Sequence, residues 1–309
     1  MKRLANWGLL ALLLLTACPA SQTESGTEGS EDAKVLRIGF IPSENAAEIQ
    51  RNAQPLVDQL QKAIGREVQS VVASDYTGVV ESFRNQRLDV AFLTPASYVM
   101  AHNEAGVSVI LRAQRGKAPY YYSVIFTRKD SKVDSLKGLK GKTFAFGDNL
   151  STAGYIYPLM LIKGAGLNPE TDFEHVINSG SHDATVLAVF NGKATAGATY
   201  ANDPTGKDAA WVHVLKPDEA KQIKVLAVSE PIPSDNICVS KNLDPALAKQ
   251  VQDFFLKLGD TPEGSKLIQD LYRIDKFIPA TDADYQGIRD AIIQAGIELK
   301  PAEPAGKAG

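Results

Sequence analysis

Cysteine and histidine are scarce in this sequence, which contains two cysteines and four histidines among its 309 residues. These six residues show none of the spacings that are typical of a metal site. Neither a glycine-rich nucleotide loop nor the strand-turn-helix elbow of a serine nucleophile is present. The sequence therefore predicts no metal, no cofactor and no catalysis.

An excess of positive charge is also absent. The chain has 33 lysines and arginines against 36 aspartates and glutamates, a formal net charge of -3. Nonspecific binding to nucleic acid needs a basic surface, so we expect no nucleic-acid partner. If the protein binds an anion, local groups must hold it against the overall charge.

The N-terminus has the pattern of a secretory signal. Lys2 and Arg3 precede a short apolar run from Trp7 to Leu15, and small residues follow it. The segment ends in Leu-Thr-Ala-Cys and resembles a bacterial lipobox, which predicts cleavage after residue 17 and a lipid on Cys18. The alternative is an ordinary signal with an incidental cysteine.

If Cys18 carries lipid, the second cysteine, Cys238, has no partner for a disulfide. Cys238 lies in the apolar sequence Ile-Cys-Val. We therefore interpret it as a small buried hydrophobic residue and not as a reactive thiol.

Two segments lack the apolar residues that a folded core requires. Residues 18–33 are mostly Ser, Thr, Glu and Gly, and residues 301–309 are mostly Ala, Gly and Pro. Such compositions favour a flexible tether after the lipid anchor and a flexible tail.

Between these ends, short apolar runs alternate with helical patterns. Val35 to Ile41 predicts a strand, and residues 48–64 predict a helix that Gly65 ends. The same alternation continues to about residue 295, which indicates an α/β protein with mainly parallel sheets. Two lobes of about 100 to 150 residues fit this length, with a small-ligand cleft between them.

One loop between a predicted strand and helix carries adjacent hydroxyl groups. It reads Phe-Gly-Asp-Asn-Leu-Ser-Thr-Ala-Gly and includes Ser151 and Thr152. Free backbone N–H groups at a helix start, together with hydroxyls, can bind an anion. The alternative is a plain helix N-cap, which the loop alone favours.

Four more side chains have both a structural and a functional interpretation. His182 begins a predicted helix, and Asp235 follows Ile-Pro-Ser. Taken alone, they are typical of a structural histidine and a turn aspartate. Tyr76 and Tyr121 are either core or cleft aromatic residues.

Considered together, seven short motifs resemble those of the phosphonate, phosphite and phosphate-binding proteins of ABC importers, over nearly the whole mature length. They are Arg37 to Pro42, Asp75 to Val80, Asp89 to Phe92, Pro119 to Val124, Ser151 to Gly154, Ser181 to Ala184 and Ile232 to Asp235. Each motif is weak alone, but their joint order and spacing are specific.

This resemblance implies a type II periplasmic-binding-protein fold. Residues 34–122 and 229–300 would form lobe 1, and residues 123–228 lobe 2. It also implies roles for single residues. Tyr76 and Tyr121 match pocket aromatics, and Ser151, Thr152 and His182 match donors to the phosphoryl oxygens. Asp235 matches an acid that accepts a proton from the phosphoryl group or contacts a ligand amine.

The sequence departs from the family pattern at two positions. A third hydroxyl often follows the Ser-Thr pair, but here the residue is Ala153. Relatives that bind aminoalkyl phosphonates carry a glutamate near Asn202, and an asparagine cannot pair with an ammonium group. Asp203 is the alternative source of that charge. We therefore expect a preference for ligands without an amine.

The lipobox-like N-terminus and the family resemblance together predict an extracytoplasmic, lipid-anchored, monomeric binding protein that delivers its ligand to the permease and ATPase subunits of an ABC importer. Phosphite or an alkylphosphonate would be preferred, and phosphate is a further candidate. Three alternatives stay open: a binding protein for another solute such as a sulfonate, a ligand-sensing receptor, and an enzyme, although no catalytic constellation supports the last one.

Replacing Cys18→Ser tests the predicted anchor. The variant should lose membrane association or accumulate as the uncleaved precursor, because the lipid attaches to this thiol. Fractionation and mass spectrometry of the N-terminus measure both. Unchanged processing and unchanged membrane association would contradict the prediction.

Overall fold

The computed structural model describes residues 35–299. The predicted signal segment, Cys18, the tether and the C-terminal tail lie outside the described residues. None of the helices within residues 35–299 is long and apolar enough to cross a membrane.

The strands form two sheets of six. The first sheet contains β1 (Val35–Phe40), β2 (Glu67–Val72), β3 (Val90–Leu93), β4 (Ser108–Gln114), β11 (Asn236–Val239) and β12 (Lys276–Pro279). The second contains β5 (Tyr120–Arg128), β6 (Thr143–Phe146), β7 (His175–Asn178), β8 (Ala196–Ala201), β9 (Ile223–Val228) and β10 (Ile232–Pro233). The strand orders are β12-β4-β11-β3-β1-β2 and β10-β5-β8-β6-β7, and β9 pairs with β5 beside β10.

The prediction of mainly parallel sheets is wrong. Only β1 with β2 and β3, and β6 with β7 and β8, pair in parallel. All other strand pairs within residues 35–299 are antiparallel. Strands β5 and β11 each enter their sheet directly from the other sheet. No helix intervenes to return the chain to the same end, so they run against their neighbours.

Eleven α-helices within the described residues cover the two sheets. They are α1 (Ala46–Ile64), α2 (Tyr76–Arg84), α3 (Pro95–Ala105), α4 (Tyr157–Gly164), α5 (Pro169–Asp172), α6 (His182–Phe190), α7 (Ala210–Val214), α8 (Pro217–Ala220), α9 (Pro245–Leu258), α10 (Pro262–Tyr272) and α11 (Gln286–Gln294). The sequence explains α1 well: Asn45 caps its start, and Gly65 ends it with a left-handed φ of 65°.

The core consists of three clusters of buried side chains. Aromatic residues Phe92, Phe255 and Phe277 pack where the first sheet meets α1, α9 and α10. A second cluster lies between the other sheet and α6 and α7. The third spans both lobes and includes Cys238, which is fully buried with a free thiol, as predicted. The α/β and two-lobe predictions are thus confirmed.

Two short segments connect the lobes. The chain crosses from β4 to β5 through residues 115–119 and returns from β10 to β11 through residues 234–235. The two segments lie side by side and are joined by a hydrogen bond from Ser234 N–H to the Pro119 carbonyl at 3.0 Å. Residues on both crossovers therefore meet at the base of the cleft.

Replacing Phe255→Ala should lower the free energy of unfolding by about 3 to 5 kcal/mol, because the site is closely packed and a cavity would remain. Phe255 is fully buried and its ring contacts Phe92, Phe254 and Phe277. The neighbouring Phe254 is only half-buried, so Phe254→Ala is the control and should cost clearly less. Equal losses in urea denaturation would contradict this account of the core.

Candidate ligand-binding site

A small cavity lies between the lobes. Its volume is about 50 Å³. A water molecule needs about 10 to 15 Å³ on the same measure, so the cavity suits a ligand of a few heavy atoms. Five of the seven binding residues predicted from the sequence line it: Tyr121, Ser151, His182, Asn202 and Asp235.

Ser151 reaches the cavity from an unusual turn. Residues Thr152–Ile156 form a π-helical turn before α4, and Ser151 caps it by accepting a bond from Gly154 N–H at 3.0 Å. A Cβ on Gly154 would lie 2.8 Å from Ser151 Oγ, so only glycine permits this close cap. The cap uses the Ser151 oxygen as acceptor, so its O–H remains a donor, beside the Tyr76 hydroxyl. The N-cap and anion-site interpretations of Ser151 are therefore compatible.

Thr152 and Tyr76 lie behind the cavity wall. The Thr152 oxygen accepts a bond from Ala96 N–H at 2.9 Å, where α3 begins in the other lobe. Tyr76 is fully buried, and its backbone N–H donates to Asp148 Oδ2 at 3.3 Å. In this arrangement both residues hold the lobes together, and their contact with a ligand stays a prediction.

His182 lines the cavity as a neutral imidazole. Burial, with a smaller effect of Arg273, lowers the pKa of His182 from 6.5 to about 4. Its Nδ1 lies 2.9 Å from the Thr199 hydroxyl, and its ring packs edge-on against Tyr200. If Thr199 donates to Nδ1, Nε2 carries the hydrogen and can donate to a ligand.

Asp235 is paired with an arginine that the sequence analysis missed. Arg115 Nη2 lies 3.2 Å from Asp235 Oδ2 and also donates to the Tyr272 carbonyl at 3.0 Å. Arg115 belongs to one lobe crossover and Asp235 to the other, so the pair joins the two segments. Burial raises the pKa of Asp235 and the Arg115 guanidinium opposes this rise.

A second ion pair, which the sequence analysis also missed, lines the same cavity. Arg273 holds Glu44 through both Nη atoms, at 2.6 and 3.0 Å, and Tyr200 of lobe 2 donates to Glu44 at 3.2 Å. The pKa of Glu44 is raised, because burial raises it more than the Arg273 guanidinium lowers it. Glu44 could have been found from its position just after β1, because ligands of α/β sheets bind at the carboxyl ends of strands.

Asn202 and Asp203 have different environments. Asn202 lines the cavity, and its Nδ2 donates to Asp208 at 3.1 Å. Asp203 accepts bonds from the N–H groups of Thr205 and Asp208 at 2.8 and 2.7 Å. Asp203 is thus a turn aspartate, and it does not line the cavity.

The buried tyrosines around the site stay neutral. Burial raises the pKa values of Tyr76, Tyr121 and Tyr272 well above 10, and the Asp235 carboxylate adds to each rise. Tyr121 and Tyr272 line the cavity without adding negative charge, and the neutral Tyr121 hydroxyl can donate to an anion there. Within residues 35–299, no group of three or more His, Cys, Asp or Glu side chains could hold a metal ion.

The lowered pKa of His182 predicts a loss of stability in acid. Above pH 6.5 the folded and unfolded states both hold a neutral imidazole. Between 6.5 and about 4 only the unfolded state takes up the proton, so stability falls as the pH falls. Full titration is worth about 3 kcal/mol.

The test compares the parent with His182→Gln, both without ligand, by urea denaturation across this range. The stability difference between them should shift by about 3 kcal/mol in favour of the variant as the pH falls. A difference that does not change with pH would contradict a neutral, buried His182.

Three comparisons place the chain among known proteins. Residues 38–285 match the family model described as "ABC transporter, phosphonate, periplasmic substrate-binding protein". The "Phosphate-import protein PhnD" of Mycolicibacterium smegmatis is 29% identical, and the alignment covers 96% of this chain and 97% of that protein. The "Phosphonates-binding periplasmic protein" of Escherichia coli is also 29% identical, over 86% and 79% of the two chains.

A solved structure has the same fold. The crystal structure of a binding-protein component of an ABC phosphonate transporter from Pseudomonas aeruginosa superposes with a TM-score of 0.77. It is 27% identical and covers 85% of this chain and 86% of that chain. These relatives are transport proteins and not enzymes, as the sequence predicted. The chain therefore belongs to the family of periplasmic substrate-binding proteins of phosphonate ABC transporters.

Proposed function

We propose that this protein binds a small phosphorus oxyanion between its lobes and delivers it to the permease of an ABC importer. Phosphite, an alkylphosphonate and phosphate are the candidate ligands. The observation that carries the proposal is the cavity of about 50 Å³, which Ser151, His182, Arg115 and Arg273 all line. Hydroxyl, imidazole and guanidinium donors form the strong, charge-assisted bonds that phosphoryl oxygens accept.

The same cavity disfavours a ligand with an amine. The guanidinium groups of Arg115 and Arg273 would repel an ammonium group. Asn202 has no charge, and Asp203 lies outside the wall. The only two carboxylates in the wall, among the described residues, are Glu44 and Asp235, and an arginine balances the charge of each, so the wall has no excess negative charge for an ammonium group. We therefore place aminoalkyl phosphonates last among the candidates.

The sequence analysis expected phosphite or an alkylphosphonate to be preferred to phosphate. An unpaired Asp235 carboxylate would support that order by repelling dianions, but Arg115 pairs with Asp235 and offsets its charge. We therefore retain the ligand class without that order.

The location follows from the N-terminal pattern together with the family. We propose that Cys18 carries the lipid and that the segment 18–33 tethers the binding lobes outside the cytoplasm.

Residues 34–122 with 229–300, and residues 123–228, are the lobes expected from the sequence. We propose to move both boundaries to the crossovers at residues 115–119 and 234–235, because β5 begins at Tyr120 and β10 pairs with it in the second sheet. Both crossovers reach the cavity, through Arg115 and Asp235, so closure of the lobes can exclude water from the ligand.

Thermal shift and calorimetry with phosphite, methylphosphonate, phosphate and aminoethylphosphonate test the ligand class. At a hundredfold its dissociation constant, a ligand should stabilise the fold by about 2.7 kcal/mol. Methanesulfonate serves as the sulfonate control. The absence of binding to all four phosphorus ligands at millimolar concentration would contradict the proposal.

Ser151→Ala locates the site. The variant should bind phosphate about tenfold or more weakly, because it loses a donor to a charged ligand. Ser82→Ala is the control, since the Ser82 hydroxyl donates to the Gly78 carbonyl within α2, away from the cavity. Unchanged affinity in Ser151→Ala would show that the ligand binds elsewhere.

A further inference from the structure

The Asp235 carboxylate has one bound oxygen and one without a partner. Its Oδ2 pairs with Arg115, whereas Oδ1 has no hydrogen-bond partner among residues 35–299. Glu44 differs, since both of its oxygens accept bonds from Arg273. Asp235 is therefore the carboxylate of the cavity wall that can still accept a bond from a ligand.

Arg115 decides what this oxygen can do. Burial raises the pKa of Asp235, whereas the guanidinium 3.2 Å away opposes this rise and favours the ionised carboxylate, which only accepts hydrogen bonds. Without the cation, burial would favour the protonated acid, which could donate. The arginine thus fixes Asp235 as an acceptor inside an anion-binding cavity.

The tyrosines and the histidine around Asp235 stay neutral between neutral and mildly alkaline pH. The titratable groups that face it are Arg115 and four tyrosines whose pKa values are raised, namely Tyr76, Tyr121, Tyr272 and Tyr285. The rest of the wall holds the Glu44–Arg273 pair and His182, which is neutral above a pKa of about 4. Over that range the ligand itself is the group that titrates.

The candidate ligands differ in what they can offer to an acceptor. Monohydrogen phosphate keeps one P–OH group as a dianion. The dianions of phosphite and methylphosphonate have none, since their fourth substituent is a hydrogen or a methyl group on phosphorus. Facing an ionised carboxylate, these two dianions meet repulsion without a hydrogen bond to offset it.

We propose that Arg115 is a specificity-determining residue: by pairing with Asp235 it keeps an acceptor-only carboxylate in the cavity, which selects oxyanions that carry a P–OH group. Above the second ionisation of the ligands this favours phosphate. The inference rests on the proposed function, and it reverses the order expected from the sequence.

Calorimetric titrations of phosphate and methylphosphonate test this, about one pH unit below and about one above the second pKa of methylphosphonate. The monoanion fraction falls about tenfold between these two values. In the parent, the affinity for methylphosphonate should therefore fall about tenfold relative to that for phosphate.

Three variants separate the roles of the two residues. In Asp235→Asn the amide can donate to a dianion, so the relative affinity should change by less than about twofold between the two pH values. Arg115→Met should weaken the pH effect in the same way, because Asp235 can then protonate and donate. Arg115→Lys retains the positive charge and should therefore show the same pH effect as the parent. Asp130→Asn removes an exposed arginine–aspartate pair outside the cavity and should behave like the parent.

The outcomes are distinguishable. If neither ligand binds the parent, the proposed function fails and this inference fails with it. If both bind but their ratio does not change with pH, or if Asp235→Asn or Arg115→Met keeps the parent's change with pH, the specificity role is wrong and the proposed function stands. Should Arg115→Met fail to fold, Arg115→Gln takes its place, because it also removes the cation.

Discussion

The contact between the Ser151 loop and the helix starts of the other lobe is the constraint on which the site depends. Ala96 N–H, at the start of α3, donates to the Thr152 hydroxyl, and Tyr76 N–H, at the start of α2, donates to Asp148. Amides at a helix start have no partner within the helix and must find one elsewhere. Here they hold the opposite lobe, which closes the cleft to a cavity of about 50 Å³.

Closure of the cleft strengthens the electrostatic interactions and hydrogen bonds that the few polar groups of the cavity can make. Once water is excluded, the local dielectric constant is low, and charge interactions and hydrogen bonds are stronger than in water. The chain carries a net charge of -3, yet the wall pairs each carboxylate with an arginine and adds neutral donors. An oxyanion therefore meets a site of balanced charge in an acidic protein. Recognition of the oxyanion therefore depends on how its hydrogen-bond donors and acceptors match those of the cavity wall.

Sequence patterns predicted the elements better than the contacts between them. The periodicity and caps of α1 and the hydroxyl loop at Ser151 are local features, so the sequence reveals them. Arg115 and Arg273 lie in connections without a motif, and only the tertiary fold brings them to Asp235 and Glu44. The antiparallel strands were missed for the same reason, because pairing depends on how the chain crosses between the lobes.

The central claim is that a phosphorus oxyanion occupies the cavity with its donors and acceptors matched to the wall. A crystal structure of the protein with phosphate measures this directly. The account predicts phosphorus within the cavity, with phosphate oxygens in hydrogen-bond range of Ser151 Oγ, His182 Nε2 and Asp235 Oδ1. An empty cavity at saturating phosphate, or phosphate bound outside it, would contradict the account.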